Sequence, residues 1–154
     1  MEIADLLTPE SVLPNLKVTS KKQALQELSK RFAENYKLAD RDVFEILLER
    51  EKLGSTGVGN GIAIPHGKLR NLECLSGYFA RLERPVDFEA VDERPVDLIF
   101  VLLAPETAGA NHLKALARVS RLMRDKSVCQ KLRGSDNADA LYALLTNHTT
   151  NLVA

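Results

Sequence analysis

A chain of 154 residues with 45% hydrophobic and 27% charged side chains has the balance of a soluble globular domain, which argues against disorder. Its 21 basic and 21 acidic side chains cancel to a formal net charge of zero, so it lacks the basic excess with which a nucleic-acid binder neutralises phosphates. No apolar run reaches the roughly 20 residues of a membrane span, and Met1-Glu-Ile-Ala-Asp5 has no basic segment followed by an apolar one, which points to the cytoplasm rather than to a secretory leader.

The length fits one domain, residues 1–154, because two independent cores would each be small. Leu13–Val18 reads as an extended segment. Ser20 then caps a helix through about Tyr36, with Leu25, Leu28, Phe32 and Tyr36 at three- and four-residue spacing. A second helix starts after Asp40, buries Val43, Phe44, Leu47 and Leu48, and ends near Leu53, where Gly54 is a natural terminator. Five of the 8 glycines fall between Gly54 and Gly67. Strand material follows at Ile62–Ile64, Leu75–Leu82 and Val96–Ala104, the last apolar on both faces and therefore central. Arg-Pro-Val-Asp occurs at 84–87 and again at 94–97. The period is too short for a solenoid, and the two copies read as strand-entry turns.

The remainder is helical. Leu113, Leu116, Ser120 and Met123 mark a buried stripe, with shorter helices over Val128–Leu132 and Ala138–Leu145 and a polar, frayed tail from about 147 to 154 that holds His148. Lys114, Arg118 and Arg121 form a basic face on the first of these helices, either a solvated face or a dock for an acidic partner. Cys74 and Cys129 belong to no Cys-x-x-Cys pair and read as buried free thiols. Helices flanking a mixed sheet of about four or five strands make the fold class an α/β sandwich.

The chemistry lies in the segment from Arg50 to Leu69. A Walker loop fails, because Gly59 is followed by Asn60 and Gly61 rather than Lys and Ser or Thr. A dinucleotide fingerprint beginning at Gly57 and Gly59 would need glycine at 62, which is isoleucine. A metal site could draw on His66 and His112, yet no Cys or carboxylate stands at helical or hairpin spacing from His66 to complete a set. A histidine nucleophile fits better than a plain turn histidine. Neutral imidazole has a free lone pair near pH 7 and can attack phosphorus without a general base, provided an acceptor holds the proton on its other nitrogen. Pro65 stiffens the approach to His66 and Gly67 leaves room beside it. The glycines allow backbone N–H groups to converge on an anion, with Ser55 and Thr56 as hydroxyl donors. An apolar rim of Ile62 and Ile64 around His66 is expected to receive a docking protein.

The run Gly54-Ser-Thr-Gly-Val-Gly-Asn-Gly-Ile-Ala-Ile-Pro-His66-Gly-Lys-Leu69, with Arg50-Glu-Lys before it, resembles the active-site signature of the fructose/mannitol-type IIA components of the bacterial phosphotransferase system. Asn111-His112-Leu113 at a helix start after the central strand extends the match, and the form of the motif is most similar to the nitrogen-regulatory branch, IIA-Ntr. The resemblance implies that His66 accepts a phosphoryl group, that His112 donates a hydrogen bond to the phosphoryl oxygens, and that Arg50 anchors or steers that group. His148 matches nothing in it.

The resemblance further implies a phosphotransferase component that works as a phosphohistidine carrier. Its donor would be a small phosphocarrier protein of the HPr or NPr type, charged from phosphoenolpyruvate through an Enzyme I relative, and no metal or organic cofactor is required. Two readings of the output stand open. In one, phosphorylation is a nitrogen-related regulatory signal that selects target proteins; in the other, phosphate passes to a IIB domain for fructose- or mannitol-type sugar uptake.

Overall fold

The computed structural model describes residues 1–147; His148 and the rest of the tail lie outside them. In chain order the elements are β1 (Val12–Leu16), α1 (Lys21–Tyr36), α2 (Asp40–Lys52), β2 (Gly57–Gly59), β3 (Ile62–Ala63), β4 (His66–Leu69), β5 (Ser76–Val86), β6 (Val96–Pro105), α3 (Ala110–Arg124), α4 (Lys126–Arg133) and α5 (Ala138–Thr146).

The mixed sheet runs β1-β5-β6-β3-β2, with β4 also paired to β6. Strand β6 is the organiser. It lies antiparallel to β5 and parallel to β3 and then to β4. Every residue from Leu98 to Ala104 is fully buried. Side chains alternate across a strand, so its two faces feed two cores. Ile99, Val101 and Leu103 pack with Leu25, Leu28 and Phe32 of α1 and Val43 and Leu47 of α2. Leu98, Phe100 and Leu102 pack with Val119 and Leu122 of α3, Leu132 of α4 and Leu141 of α5. The result is the α/β sandwich expected, a sheet covered by helices on both faces.

Local chemistry accounts for the element ends. Ser20 accepts a hydrogen bond from the Gln23 backbone N–H at 3.1 Å and so caps α1. Asp125 and Asn137 do the same for α4 and α5. The sheet has six strands because two short ones, β2 and β4, join those anticipated. Strands β2 and β3 form a hairpin whose two-residue loop is Asn60-Gly61, both at positive φ (57° and 81°), which is the backbone that an Asn-Gly dipeptide favours.

Four expectations need correction. The first Arg-Pro-Val-Asp is a strand exit, not an entry: Val86 closes β5 and pairs with Val96 of the second copy, so the repeats face each other as the two arms of a hairpin. The buried stripe of α3 is Ala115, Val119, Leu122 and Met123. Leu113 is 68% exposed and Leu116 only partly covered, because the helix starts clear of the sheet and meets the core from its second turn onward. Cys74 is exposed, since β5 begins two residues later at Ser76, whereas Cys129 is buried as expected. Ile62 and Ile64 are 2% and 3% exposed and belong to the core beneath the sheet, so they form no rim around His66. On the basic face of α3, Lys114 and Arg121 are exposed and Arg118 is half-buried.

Candidate functional site

Three elements bring the predicted residues together. The chain runs along β6 as β3, leaves the ladder at Ile64-Pro65 and rejoins it as β4. Pro65 supplies only a carbonyl, which accepts from Leu102 N–H at 2.9 Å. His66 therefore sits where the strand resumes, opposite Leu102. Next to it Gly67 approaches α2 so closely that a Cβ there would stand 2.5 Å from the Ile46 methyl, closer than real atoms allow. This contact sets the C-terminal half of α2, and with it Arg50, against β4. From the other side, α3 begins at Ala110 and presents His112 with its ring centroid 5.9 Å from that of His66.

The His66 tautomer follows from its two partners. Its Nδ1 lies 2.8 Å from the Ile64 carbonyl oxygen, which can only accept, so Nδ1 carries the proton. Its Nε2 lies 3.3 Å from Arg50 Nε, which can only donate, so Nε2 carries the lone pair. The two contacts require the same tautomer independently. The Arg50 contact is long for a hydrogen bond and correspondingly weak. Arg50 is held more firmly through Nη1, which donates to the Gly54 carbonyl at 2.8 Å. At His112 the Nε2 atom is buried and has no hydrogen-bond partner among the described residues. A buried ring nitrogen without a partner is costly, and this one lies on the histidine that faces His66.

Burial lowers the basicity of both rings. For His66 desolvation is the main cause, Arg50 lowers it further, and the Ile64 carbonyl and Glu51 act in the opposite sense. For His112 desolvation again leads, followed by repulsion from His66 and Lys68. Both imidazoles are thus neutral at pH 7. Their folded values lie below the unfolded value of about 6.5, so the unfolded chain binds more protons as pH falls through that value. Stability contributed by the neutral rings is complete above pH 6.5 and is lost as pH drops toward the folded values. Urea denaturation at pH 7.5 and 5.5 should show wild type weakening in acid, and a His66→Ala, His112→Ala double variant weakening less. An equal loss in both proteins would assign the acid sensitivity to other groups.

Ser55 and Thr56 are placed differently from the other predicted residues. Ser55 Oγ donates to the Phe88 carbonyl at 2.6 Å and accepts from Gly57 N–H at 3.0 Å. Thr56 is 3% exposed, and its hydroxyl donates to Glu51. Both hydroxyl hydrogens are committed to the protein, so these residues brace the loop rather than face His66. Gly57 and Gly67 likewise serve close packing. A Cβ at Gly57 would stand 2.9 Å from the Ala90 Cα, for example. Glu51 carries a local signal of its own, because an acidic residue in the last turn of a helix opposes the helix dipole. A cleft of about 980 Å³ lies elsewhere, lined by Asn60, Asp97, Arg124 and Arg133 among others, and includes none of the predicted site residues.

The site thus joins a strand-borne histidine with its lone pair on Nε2, an arginine at that nitrogen and a second histidine facing it, in a chain that is similar to several known proteins over nearly its whole length. A nitrogen regulatory protein of Bradyrhizobium diazoefficiens is 61% identical over 145 residues, covering 94% of this chain and 95% of that protein. The crystal structure of nitrogen regulatory protein IIA-Ntr from Neisseria meningitidis superposes with a TM-score of 0.88 at 39% identity, covering 94% of this chain and 99% of that one. Enzyme IIAMtl from Escherichia coli, solved in complex with phosphorylated enzyme IIBMtl, shares the fold with a TM-score of 0.76 at 21% identity, over 91% of this chain and 98% of that one. The family model of the phosphoenolpyruvate-dependent sugar phosphotransferase system, EIIA 2, matches residues 5–148. Sequence and fold thus converge, and the chain belongs to the EIIA 2 family of that phosphotransferase system.

Proposed function

We propose that this chain is a phosphohistidine carrier of the phosphotransferase system, that His66 Nε2 is the acceptor atom, and that the phosphorylated state is read as a regulatory signal. The observation that carries the reading is the doubly enforced tautomer: Nδ1–H on the Ile64 carbonyl leaves Nε2 as the nucleophile. The similarity to nitrogen regulatory proteins, 61% over nearly the whole chain in one case, supports the regulatory output over relay to a IIB domain.

The step balances without a base. The Nε2 lone pair forms a bond to phosphorus as the P–N bond of the donor's phosphohistidine breaks, and the departing nitrogen recovers its electron pair. No proton leaves His66. Its ring gains positive charge, which the Ile64 carbonyl stabilises through Nδ1–H. Arg50 Nε must release Nε2 as the bond forms. Its Nη1 stays on the Gly54 carbonyl, so the guanidinium can pivot onto the phosphoryl oxygens, which it is suited to hold. His112 Nε2, in its protonated tautomer, gives a further donor to the same oxygens and thereby gains the partner it lacks.

The donor in this reading is an HPr- or NPr-type phosphocarrier. The test is incubation with phosphoenolpyruvate, Enzyme I and such a carrier. The protein should gain the mass of one phosphoryl group, labile in acid and stable in base, as a phosphoramidate is. Pull-downs with His66→Glu and His66→Ala should then recover different proteins, because close to two negative charges on His66 are costly for a partner that must desolvate them and attractive to another with a waiting arginine. Identical partners and affinities in both states would remove the regulatory reading and leave the relay to a IIB domain.

A further inference from the structure

Glu51 is the one charged side chain among the buried polar residues described, at 7% exposure. Burying a carboxylate costs several kcal/mol unless donors compensate it, and here three do. Its Oε1 accepts from the Thr56 backbone N–H at 3.0 Å and pairs with Lys21 Nζ at 3.0 Å, and its Oε2 accepts from the Thr56 hydroxyl. Lys21 opens α1, lies over the Phe88 ring at 5.0 Å and also reaches Glu89 at 3.6 Å. One carboxylate therefore joins the end of α2, the start of α1 and the 54–56 loop, and through Lys21 the 88–89 segment.

The loop so pinned is the one that holds Arg50. The Leu53 and Gly54 N–H groups fold back onto the Arg50 and Glu51 carbonyls at 3.2 and 3.1 Å, and Gly54 takes φ of 145°. Two residues later Glu51 seizes Thr56. Between these anchors the Gly54 carbonyl is aimed at Arg50 Nη1, 2.8 Å away, and Arg50 Nε reaches His66. Glu51 touches neither the imidazole nor the guanidinium in any of these bonds; it fixes the carbonyl that fixes the arginine.

We propose that Glu51 is a positioning residue for phosphoryl transfer: its buried carboxylate locks Thr56, so that the Gly54 carbonyl holds Arg50 at the His66 Nε2 atom and serves as the pivot on which the guanidinium turns to the phosphoryl group. The charge has a second use. The groups that act on His66 are the Ile64 carbonyl before β4 and Arg50 and Glu51 from α2; His112 of α3 faces it, and is itself acted on by His66 and by Lys68 of β4. Of these Glu51 alone is acidic, and it favours the positive ring that forms as phosphorus bonds to Nε2. Glutamine in its place would keep an acceptor for Thr56 N–H but would lose the ion pair with Lys21 and the field at His66.

The inference rests on His66 as acceptor, and the test separates the two. Glu51→Gln should slow single-turnover transfer from the phosphocarrier at least tenfold and move the His66 titration midpoint, followed by NMR of the ring, below that of wild type. Glu51→Asp, too short to span to Thr56, should shift the midpoint less but slow transfer comparably. If Glu51→Gln does not fold, Thr56→Val removes the hydroxyl while keeping the carboxylate and should still slow transfer, with Thr56→Ser restoring it. A role confined to stability would lower the melting temperature only. A wild-type transfer rate with an unmoved His66 midpoint in folded Glu51→Gln protein overturns the proposal. Labelling that survives His66→Ala would defeat the acceptor assignment instead, and the ring titration would still read the action of Glu51 on His66.

Discussion

Replacing His66 by alanine is expected to leave a folded protein that takes up no phosphoryl group from a charged phosphocarrier. The loss should be complete because, among the described residues, no other imidazole combines the required features. His112 faces the same space, yet the arginine contact goes to His66, and the His112 Nε2 atom has no hydrogen-bond partner among the described residues. The fold should survive because His66 is only partly buried, and its removal forfeits one hydrogen bond to the Ile64 carbonyl and one long contact to Arg50. The strand contacts that seat β4 on β6 are made by backbone. A lost hydrogen bond of this kind costs about 1 kcal/mol, small against typical domain stabilities of roughly 5–15 kcal/mol. Intact mass after relay treatment, with circular dichroism as the folding control, checks both halves. Undiminished labelling of the alanine variant would show that another residue is the acceptor.

The second large effect is expected from the two residues that flank the acceptor. Arg50→Ala and His112→Ala should each fold and each still accept phosphate, but slowly. Phosphoryl transfer depends on positioning and on neutralising the charge of the moving group. Removing one well-placed donor from a developing anion costs about 2.7–4 kcal/mol in acyl transfer, or roughly 10²–10³ in rate, and a loss near that size is expected here. Arg50→Lys should recover part of the rate. An ammonium restores the charge but cannot hold the Gly54 carbonyl and the phosphoryl oxygens at once in the planar fork that a guanidinium offers. His112→Ala should also be mildly stabilising or neutral, because it deletes a buried ring nitrogen that lacks a partner. Single-turnover transfer measured by rapid quench distinguishes these cases. Rates equal to wild type in both alanine variants would remove Arg50 and His112 from the mechanism.

What the sequence determined by itself was the part governed by local rules. The Ser20 cap and the 3.6-residue spacing in α1 and the central strand apolar on both faces follow from short-range patterns and stand as read. The specific run from Gly54 to Leu69 carried the family. Asn60-Gly61 is a further local signal, of the β2–β3 hairpin. Tertiary structure alone decided the rest, because it depends on which distant segments meet. Ile62 and Ile64 look like a rim beside His66 in the sequence but are covered by the α3–α5 layer. Ser55 and Thr56 look like phosphate donors until Phe88 and Glu51 claim their hydroxyl hydrogens. His112 is 46 positions from His66 by numbering and a single ring-to-ring contact from it in space. A hydroxyl or an imidazole has the same capacity for bonding wherever it stands in a sequence; the partner that uses that capacity is chosen by packing across the sheet.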